Sequence, residues 1–258
     1  MPAPFNPARR NRNIGTAKQG HSQNNRMSIP GTAISGAEPL GTHRIETRDI
    51  QGKQVAFIVE KTSGGCVHAC TIADIEHLLS HIPRSDWAGL NTFVLRQSTR
   101  KTRILNPAWG RLWYFTDLQF RGRIIASGPA IFLEAMQVDA PIKWSAALDP
   151  ADAEELERLR TDGHRVERAG SRHIVTPNLD SARVTLLYRT LPHEIGHWFD
   201  WLQKVKAPLA RGDDYVTLVQ RYFARPKTER EGFAHRYADA LCARLKHDGV
   251  IPFPRTGE

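Results

Sequence analysis

The stretch of this 258-residue chain that most constrains its fold is Leu191-Pro-His-Glu-Ile-Gly-His-Trp198. On a helix, His193 and His197 lie one turn apart on the same face, so their imidazoles converge on one point. Two neutral imidazoles at this spacing can supply two corners of a tetrahedral zinc site. Glu194 lies one step around the helix, beside the metal, where a carboxylate can take a proton from a zinc-bound water.

The residues around this motif are strongly apolar, which decides between two interpretations of it. A helix that is apolar around its circumference is mostly buried. Two histidines and a glutamate inside it would leave polar groups without water, at a cost of several kcal/mol unless something satisfies them. A hydrogen-bonded structural cluster is the alternative, but the apolar setting favours a bound zinc ion. The apolar residues at helical spacing are Val184, Leu187, Leu191, Ile195, Trp198, Phe199, Trp201 and Leu202.

A third protein ligand is needed, because catalytic zinc sites generally take three and leave a fourth position for water. Residues 226–241 predict a helix whose contact stripe carries Ala234, Ala238 and Cys242, and Glu231 continues this stripe toward the helix start. We therefore predict Glu231 as the third ligand. The alternative is a capping box, Thr228-x-x-Glu231, in which Glu231 would hold the helix N-terminus. If the helix begins at Pro226, Thr228 lies inside it and is not the N-cap, so Glu231 does not form this capping box.

The pattern His193-Glu194-x-x-His197-x-x-Asp200, followed by Glu231-x-Phe233-Ala234, resembles the gluzincin metallopeptidases. Within that group it is most similar to the Mlc titration factor, the lethal-factor-like proteins and the small bacterial minigluzincins. The resemblance implies an α+β, zincin-like fold, in which a small mixed sheet packs against a motif-bearing helix and a glutamate-bearing helix.

The resemblance also implies a chemistry. Zinc would be held by His193, His197 and Glu231, Glu194 would act as the general base, and the substrate would be a peptide or protein. Asp200 would be a framework acid behind the site, with a solvated helix charge as the alternative.

No residue is assigned by the pattern to stabilise the oxyanion that forms during peptide hydrolysis. Tyr222, His235 and Tyr237 are the candidates. Tyr237 also fits the apolar stripe of its helix, where it would be a core residue.

Residues 1–41 differ in composition from the rest of the chain. They are rich in Asn, Gln, Gly, Ser, Pro and Arg, and they carry five Lys or Arg against one Glu. Such a segment buries too little apolar surface to offset its ordering entropy. We predict a disordered basic tail over 1–41 and one zincin-like metallopeptidase domain over 42–258.

The basic tail supports a second hypothesis, of a different class. The chain would be a nucleic-acid-associated protein of mobile elements with a non-proteolytic zincin site, like antirestriction proteins that carry an H-E-x-x-H stretch. The charge of the predicted domain argues against this hypothesis. The chain has a net charge of +9, but the share that falls on the domain is only a mild basic excess. A third hypothesis is an inactive scaffold whose helix happens to carry the motif.

Membrane insertion and export through a signal peptide are not expected. No apolar run is long enough to span a bilayer, and residues 1–12 lack the apolar core of a secretory signal. Three cysteines without an export signal indicate a reducing compartment and no disulfide framework. The sequence predicts a cytoplasmic protein, with signal-peptide-independent export as the alternative.

Local patterns predict the remaining elements. Strands are expected at 54–60, 92–96, 111–115, 123–126 and 128–133, a hairpin at 166–167 and 173–175, and helices from Thr71 and from Asp149. Pro129 favours an edge strand at 128–133, to which a substrate could add as a further strand. Asp180 or Ser181 should cap the motif helix, and Pro192 should kink or restart it. Cys66-x-His68-x-Cys70 does not have the usual spacing of a zinc knuckle.

Overall fold

The computed structural model describes residues 35–99, 108–145, 147–148 and 150–257, with Ser35 and Ala151 described in their backbone alone. Within them the chain forms a mixed α and β structure, as the α+β prediction requires. The strands are β1 (Ser35–Pro39), β2 (His43–Ile50), β3 (Lys53–Glu60), β4 (Cys66–Val67), β5 (Thr92–Arg96), β6 (Gly110–Phe120), β7 (Arg123–Glu134), β8 (Met136–Gln137), β9 (Ile142–Ser145), β10 (Arg165–Ala169) and β11 (Arg172–Thr176).

The helices include two π-helical turns that flank the helix with the histidine motif. They are α1 (Ile72–Ser80), α2 (Pro150–Thr161), α3 (Leu179–Val184), α4 (Leu191–Trp201), α5 (Ala207–Ala210), α6 (Tyr215–Ala224) and α7 (Lys227–His247), with π-helical turns at Thr185–Thr190 and Leu202–Lys206 and a 3-10 turn at Arg84–Trp87.

The main sheet has six strands in the order β1-β6-β7-β5-β3-β2. Its pairs β1/β6, β3/β5 and β5/β7 are parallel, whereas β2/β3 and β6/β7 are antiparallel. A second antiparallel sheet has the order β10-β11-β9, and it contains the predicted hairpin. The strands predicted at 54–60 and 92–96 are confirmed as β3 and β5, and the strand predicted at 111–115 is the first half of β6.

The prediction of an edge strand at 128–133 is wrong. The two strands predicted at 123–126 and 128–133 are one strand, β7, which lies inside the sheet: Leu133 pairs with Gly110 on one side and with Leu95 on the other. Pro129 is tolerated because the pairing with β5 begins only at Ile131 and the register with β6 shifts at this level. With both sides of residues 131–134 occupied, no substrate strand can add there.

The prediction of a disordered tail over 1–41 falls mostly on residues 1–34, which lie outside the described residues. The described end of that segment differs from the prediction, because Ser35–Pro39 forms the edge strand β1, parallel to β6. The Thr116 hydroxyl donates to the Gly36 carbonyl at 2.8 Å, and Glu38 forms an ion pair with Arg96. Backbone pairing and polar contacts order this strand. The composition of the segment, which was the basis of the prediction, contains neither of them.

The helices pack on one face of the main sheet and bury the core there. Alternate residues of the central strands, such as Phe57, Phe93 and Ile131, face α1 and α4. The predicted capping box of α1 is confirmed, since Thr71 and Asp74 exchange both hydrogen bonds. No helix among the described residues is long and apolar enough to cross a bilayer.

The run that carries the motif begins with a cap other than the one predicted. Asn178 is the N-cap of α3, and Ser181 closes the capping box as its third helical residue, so neither Asp180 nor Ser181 is the cap itself. Pro192 lies in the first turn of α4, directly after the π-helical turn Thr185–Thr190. The helix does not restart at this proline, because Thr190 and Leu191 keep right-handed helical dihedral angles and the Leu191 N–H donates to the Leu186 carbonyl. The run is continuous instead, and its hydrogen bonding changes from π-helical to α-helical directly before Pro192.

Candidate metal centre

Three side chains from two helices converge on one point. The Nε2 atoms of His193 and His197, both on α4, lie 3.3 and 3.5 Å from the same carboxylate oxygen, Oε2 of Glu231 on α7. The potential ligand atoms of these residues all lie within 4.8 Å of one another. Among the described residues, no other group of three or more His, Cys, Asp or Glu side chains brings its ligand atoms this close together. The two histidine side chains are 14% exposed, and that of Glu231 is 37% exposed. The cluster can hold a metal ion.

Close approach of α4 and α7 depends on Gly196, the residue before His197. A Cβ atom on Gly196 would lie 3.1 Å from the Cα and the carbonyl oxygen of Ala234, and 3.0 Å from the Tyr237 ring. Any larger residue would push the helices apart, because backbone atoms cannot give way as a flexible side chain can. The small residues at 196 and 234 thus bring Glu231 within reach of the histidines.

The position of Glu231 in its helix removes the capping-box alternative. α7 begins at Lys227 after Pro226, and no side chain caps it, so Thr228 is already helical and cannot be the N-cap. Hydrogen bonds donated by His193 and His197 hold the pKa of the Glu231 carboxyl below its usual range. Glu231 therefore faces the histidine pair as an anion.

Glu194 is buried beside the cluster, with 8% of its surface exposed. Loss of solvent raises the pKa of its carboxyl, and the neighbouring histidines and the Leu112 amide, which donates a hydrogen bond, act in the opposite direction. Its carboxylate is positioned by α4, on which it lies, and by the hydrogen bond from the β6 backbone. Glu194, His193 and Glu231 all line one cavity of about 300 Å³.

Of the three residues predicted as oxyanion candidates, His235 lies in this cavity. Its ring centroid is 4.4 Å from that of His193. Tyr222 is 1% exposed and its hydroxyl lies 3.0 Å from that of Tyr114, inside the aromatic core. Tyr237 donates its hydroxyl hydrogen bond to Asp86 at 2.8 Å, which agrees with a core role.

Asp200 is fully buried, so the solvated-charge alternative for this residue is wrong. Its Oδ2 accepts a hydrogen bond from Nη1 of Arg225 at 2.6 Å, and Arg225 also contacts Glu229 in the first turn of α7. The pair ties the end of the motif helix to the start of the helix that carries Glu231. Asp200 thus supports the cluster through Arg225 and does not contact the three side chains that form it.

The far wall of the cavity is polar, and sequence analysis did not identify it. Glu155 and Arg158 come from α2, and Arg189 and Thr190 come from the π-helical turn before α4. Arg189 precedes His193 by one helical turn, a spacing that could have drawn attention to it. No sequence signal connects Arg158 to the motif, because only the tertiary fold brings α2 to this place.

No protein family, curated protein or solved structure matches this chain.

Proposed function

We propose that the chain is a zinc-dependent peptidase of the gluzincin type with a zincin-like fold. The observation that supports this function best is the convergence of His193, His197 and Glu231 on one point at the wall of a cavity, with Glu194 buried beside them. Glu194 follows His193 directly in the sequence, so the helical turn that carries the two imidazoles also holds its carboxylate beside them.

The set of ligand atoms fits zinc better than the hard cations. Two imidazole nitrogens and one carboxylate oxygen are typical of catalytic zinc, whereas calcium and magnesium prefer oxygen ligands alone. Three protein ligands would leave a fourth position for water, and two of the three, His193 and Glu231, line the cavity. When bound, zinc supplies Lewis-acid polarisation of a carbonyl and a lowered pKa for water.

Glu194 is the residue that moves protons in this proposal. Its carboxylate accepts a proton from the attacking water and passes it to the amine that leaves when the peptide bond breaks. Burial shields the carboxylate from bulk water, and the hydrogen bond from the Leu112 amide holds it in place. His235, which lines the cavity and whose ring centroid lies 4.4 Å from that of His193, would donate a hydrogen bond to the substrate carbonyl oxygen.

An extended substrate fits the first half of β6. β1 pairs with residues 115–119 of β6, so among the described residues nothing pairs with residues 110–114 on that side. Gly110 lines the cavity, and the amide of Leu112 points to Glu194. A peptide that adds to β6 here would pass directly over the cluster, in place of the β7 position expected from the sequence.

The test replaces Glu194 by Gln, which keeps the size of the side chain but cannot accept a proton at neutral pH. Purified wild type and Glu194→Gln should each carry close to one zinc ion per chain. The wild type should hydrolyse members of a mixed peptide library in a chelator-sensitive way, and the variant should lose about 10²–10⁴-fold in rate. Hydrolysis that persists unchanged in the variant would exclude this mechanism.

A further inference from the structure

Arg158 presents a largely unused guanidinium group to the cavity. Its Nη1 lies 3.4 Å from Nε2 of His235, and its contacts with Glu154 and Glu155 are long, at 3.5 and 4.0 Å. A guanidinium carries five N–H donors. Most of them are therefore free to bind a ligand that enters beside His235.

Arg189 carries one donor, Nη2, that has no hydrogen-bond partner in the part of the chain that the structure describes. Its Nη1 donates to both oxygens of Glu155 at 2.8 and 2.6 Å, and its Nε donates to Asp162 at 2.8 Å, so the guanidinium plane is fixed. Nη2 is buried and, among the described residues, makes no hydrogen bond. A buried donor without a partner requires an explanation, and because Arg189 lines the cavity, a water molecule or a ligand that enters there could supply the missing acceptor.

Of the three carboxylates that line the cavity, the two other than Glu194 are already engaged. Both oxygens of Glu155 accept from Arg189, and Glu231 faces the histidine pair. The wall made by α2 and the π-helical turn therefore offers donors in excess of acceptors. Planar guanidinium donors match carboxylate and phosphate groups, and of these two a peptide substrate supplies the carboxylate.

We propose that Arg158 and Arg189 form a carboxylate-binding subsite next to the metal centre, so that the enzyme selects peptides with a carboxylate close to the bond that is cleaved. This inference rests on the proposed peptidase function. The carboxylate can come from an acidic side chain or from the C-terminus of the substrate, and the two sources share the same chemistry. Arg158 is the residue to vary, because Arg189 is held in a buried network.

The experiment compares matched peptides with the wild type, Arg158→Gln and a control, Arg160→Gln. Arg160 lies on the same helix, is 51% exposed and pairs with Glu157, away from the cavity. The peptides share one host sequence and carry Glu or Gln beside the scissile bond, and a free or an amidated C-terminus. The wild type should favour one carboxylate source by about tenfold or more in kcat/KM. That ratio should fall toward one in Arg158→Gln and stay unchanged in Arg160→Gln.

A binding measurement separates failure of this inference from failure of the peptidase proposal. The same peptides are titrated calorimetrically into Glu194→Gln, with and without Arg158→Gln. Tighter binding of the carboxylate peptide that is lost with Arg158 supports the subsite even if no peptide is cleaved. Equal kcat/KM for the Glu and Gln peptides and for the acid and amide peptides overturns the subsite and leaves the peptidase standing. Equal affinities, or no binding of any peptide, overturn it as well.

Discussion

A Cβ atom on Gly196 would lie 3.1 Å from the Cα of Ala234, so the spacing between the motif helix and the glutamate helix is set by a residue inside the motif itself. Gly196→Ala should separate α4 and α7 and lower stability by about 1–3 kcal/mol, the usual cost of overpacking. Zinc occupancy should fall with it.

Gly232 provides the matched control for that substitution. A Cβ atom there would meet only Nη1 of Arg236 at 3.2 Å, the end of a flexible side chain. Gly232→Ala should keep zinc and gain up to about 1 kcal/mol from helix propensity. Chemical denaturation and metal analysis of both variants test the pair. Equal behaviour of the two would show that the helix contact does not set the metal site.

Glu231→Gln should lose most of the bound zinc, because an amide is a much weaker ligand than a carboxylate. Since metal binding is linked to folding, the melting temperature should fall to that of the chelator-treated wild type, and chelator should have no further effect. Glu229→Gln, two residues earlier on the same helix and paired with Arg225, should keep its zinc. Full zinc occupancy in Glu231→Gln would remove Glu231 from the ligand set.

Asp200→Asn should destabilise the chain by about 3 kcal/mol or less, because it leaves Arg225 without its buried partner. Arg225 is 18% exposed, so water offsets part of that cost. We expect zinc affinity to fall too, since the pair fixes the start of the helix that carries Glu231. A metal-competition titration checks this, and unchanged affinity would limit Asp200 to a role in stability.

His164 should make the fold sensitive to acid. It is buried against Thr185 and Ser181, and desolvation lowers its pKa to about 4, with Asp162 acting in the opposite direction. Because the folded state disfavours the charged form, stability is complete above the unfolded pKa of about 6.5 and is lost as pH falls toward 4, by up to about 1.4 kcal/mol per pH unit. His164→Asn should flatten this part of the stability profile, measured by urea unfolding at each pH.

The nucleic-acid hypothesis makes a separate prediction. If it holds, the intact chain should bind duplex DNA with a steep salt dependence, and removal of residues 1–34 should abolish the binding while β1 remains. Gel-shift titrations at several salt concentrations test this. Absence of binding at physiological salt in both forms would eliminate the hypothesis.

The cluster of His193, His197 and Glu231 was predictable to the extent that it depends on local sequence. The spacing of His193 and His197 is a property of one helix, and the stripe that carries Glu231 is a property of another. The cap of α3 shows how short the reach of such patterns is. Asn178, Asp180 and Ser181 are all good capping residues, and only the backbone geometry at Asn178 decides among them.

Features that depend on pairing between distant segments were missed or predicted wrongly. Pro129 is compatible with an edge strand, but the neighbours of β7 come from other parts of the chain. β1 lacks a strong apolar pattern and is ordered by its pairing with β6. Arg158 enters the cavity because α2 folds against it, a relationship that no local pattern contains.

The division of the three proposed ligands between α4 and α7 has a consequence for how the chain matures. The two histidines come together as soon as one turn of α4 forms, whereas Glu231 lies on α7, which is synthesised later. If the cluster binds a metal ion, a nascent chain would hold it only loosely until α7 docks on Gly196. Retention of the ion would then report that α7 has been synthesised and has folded into place.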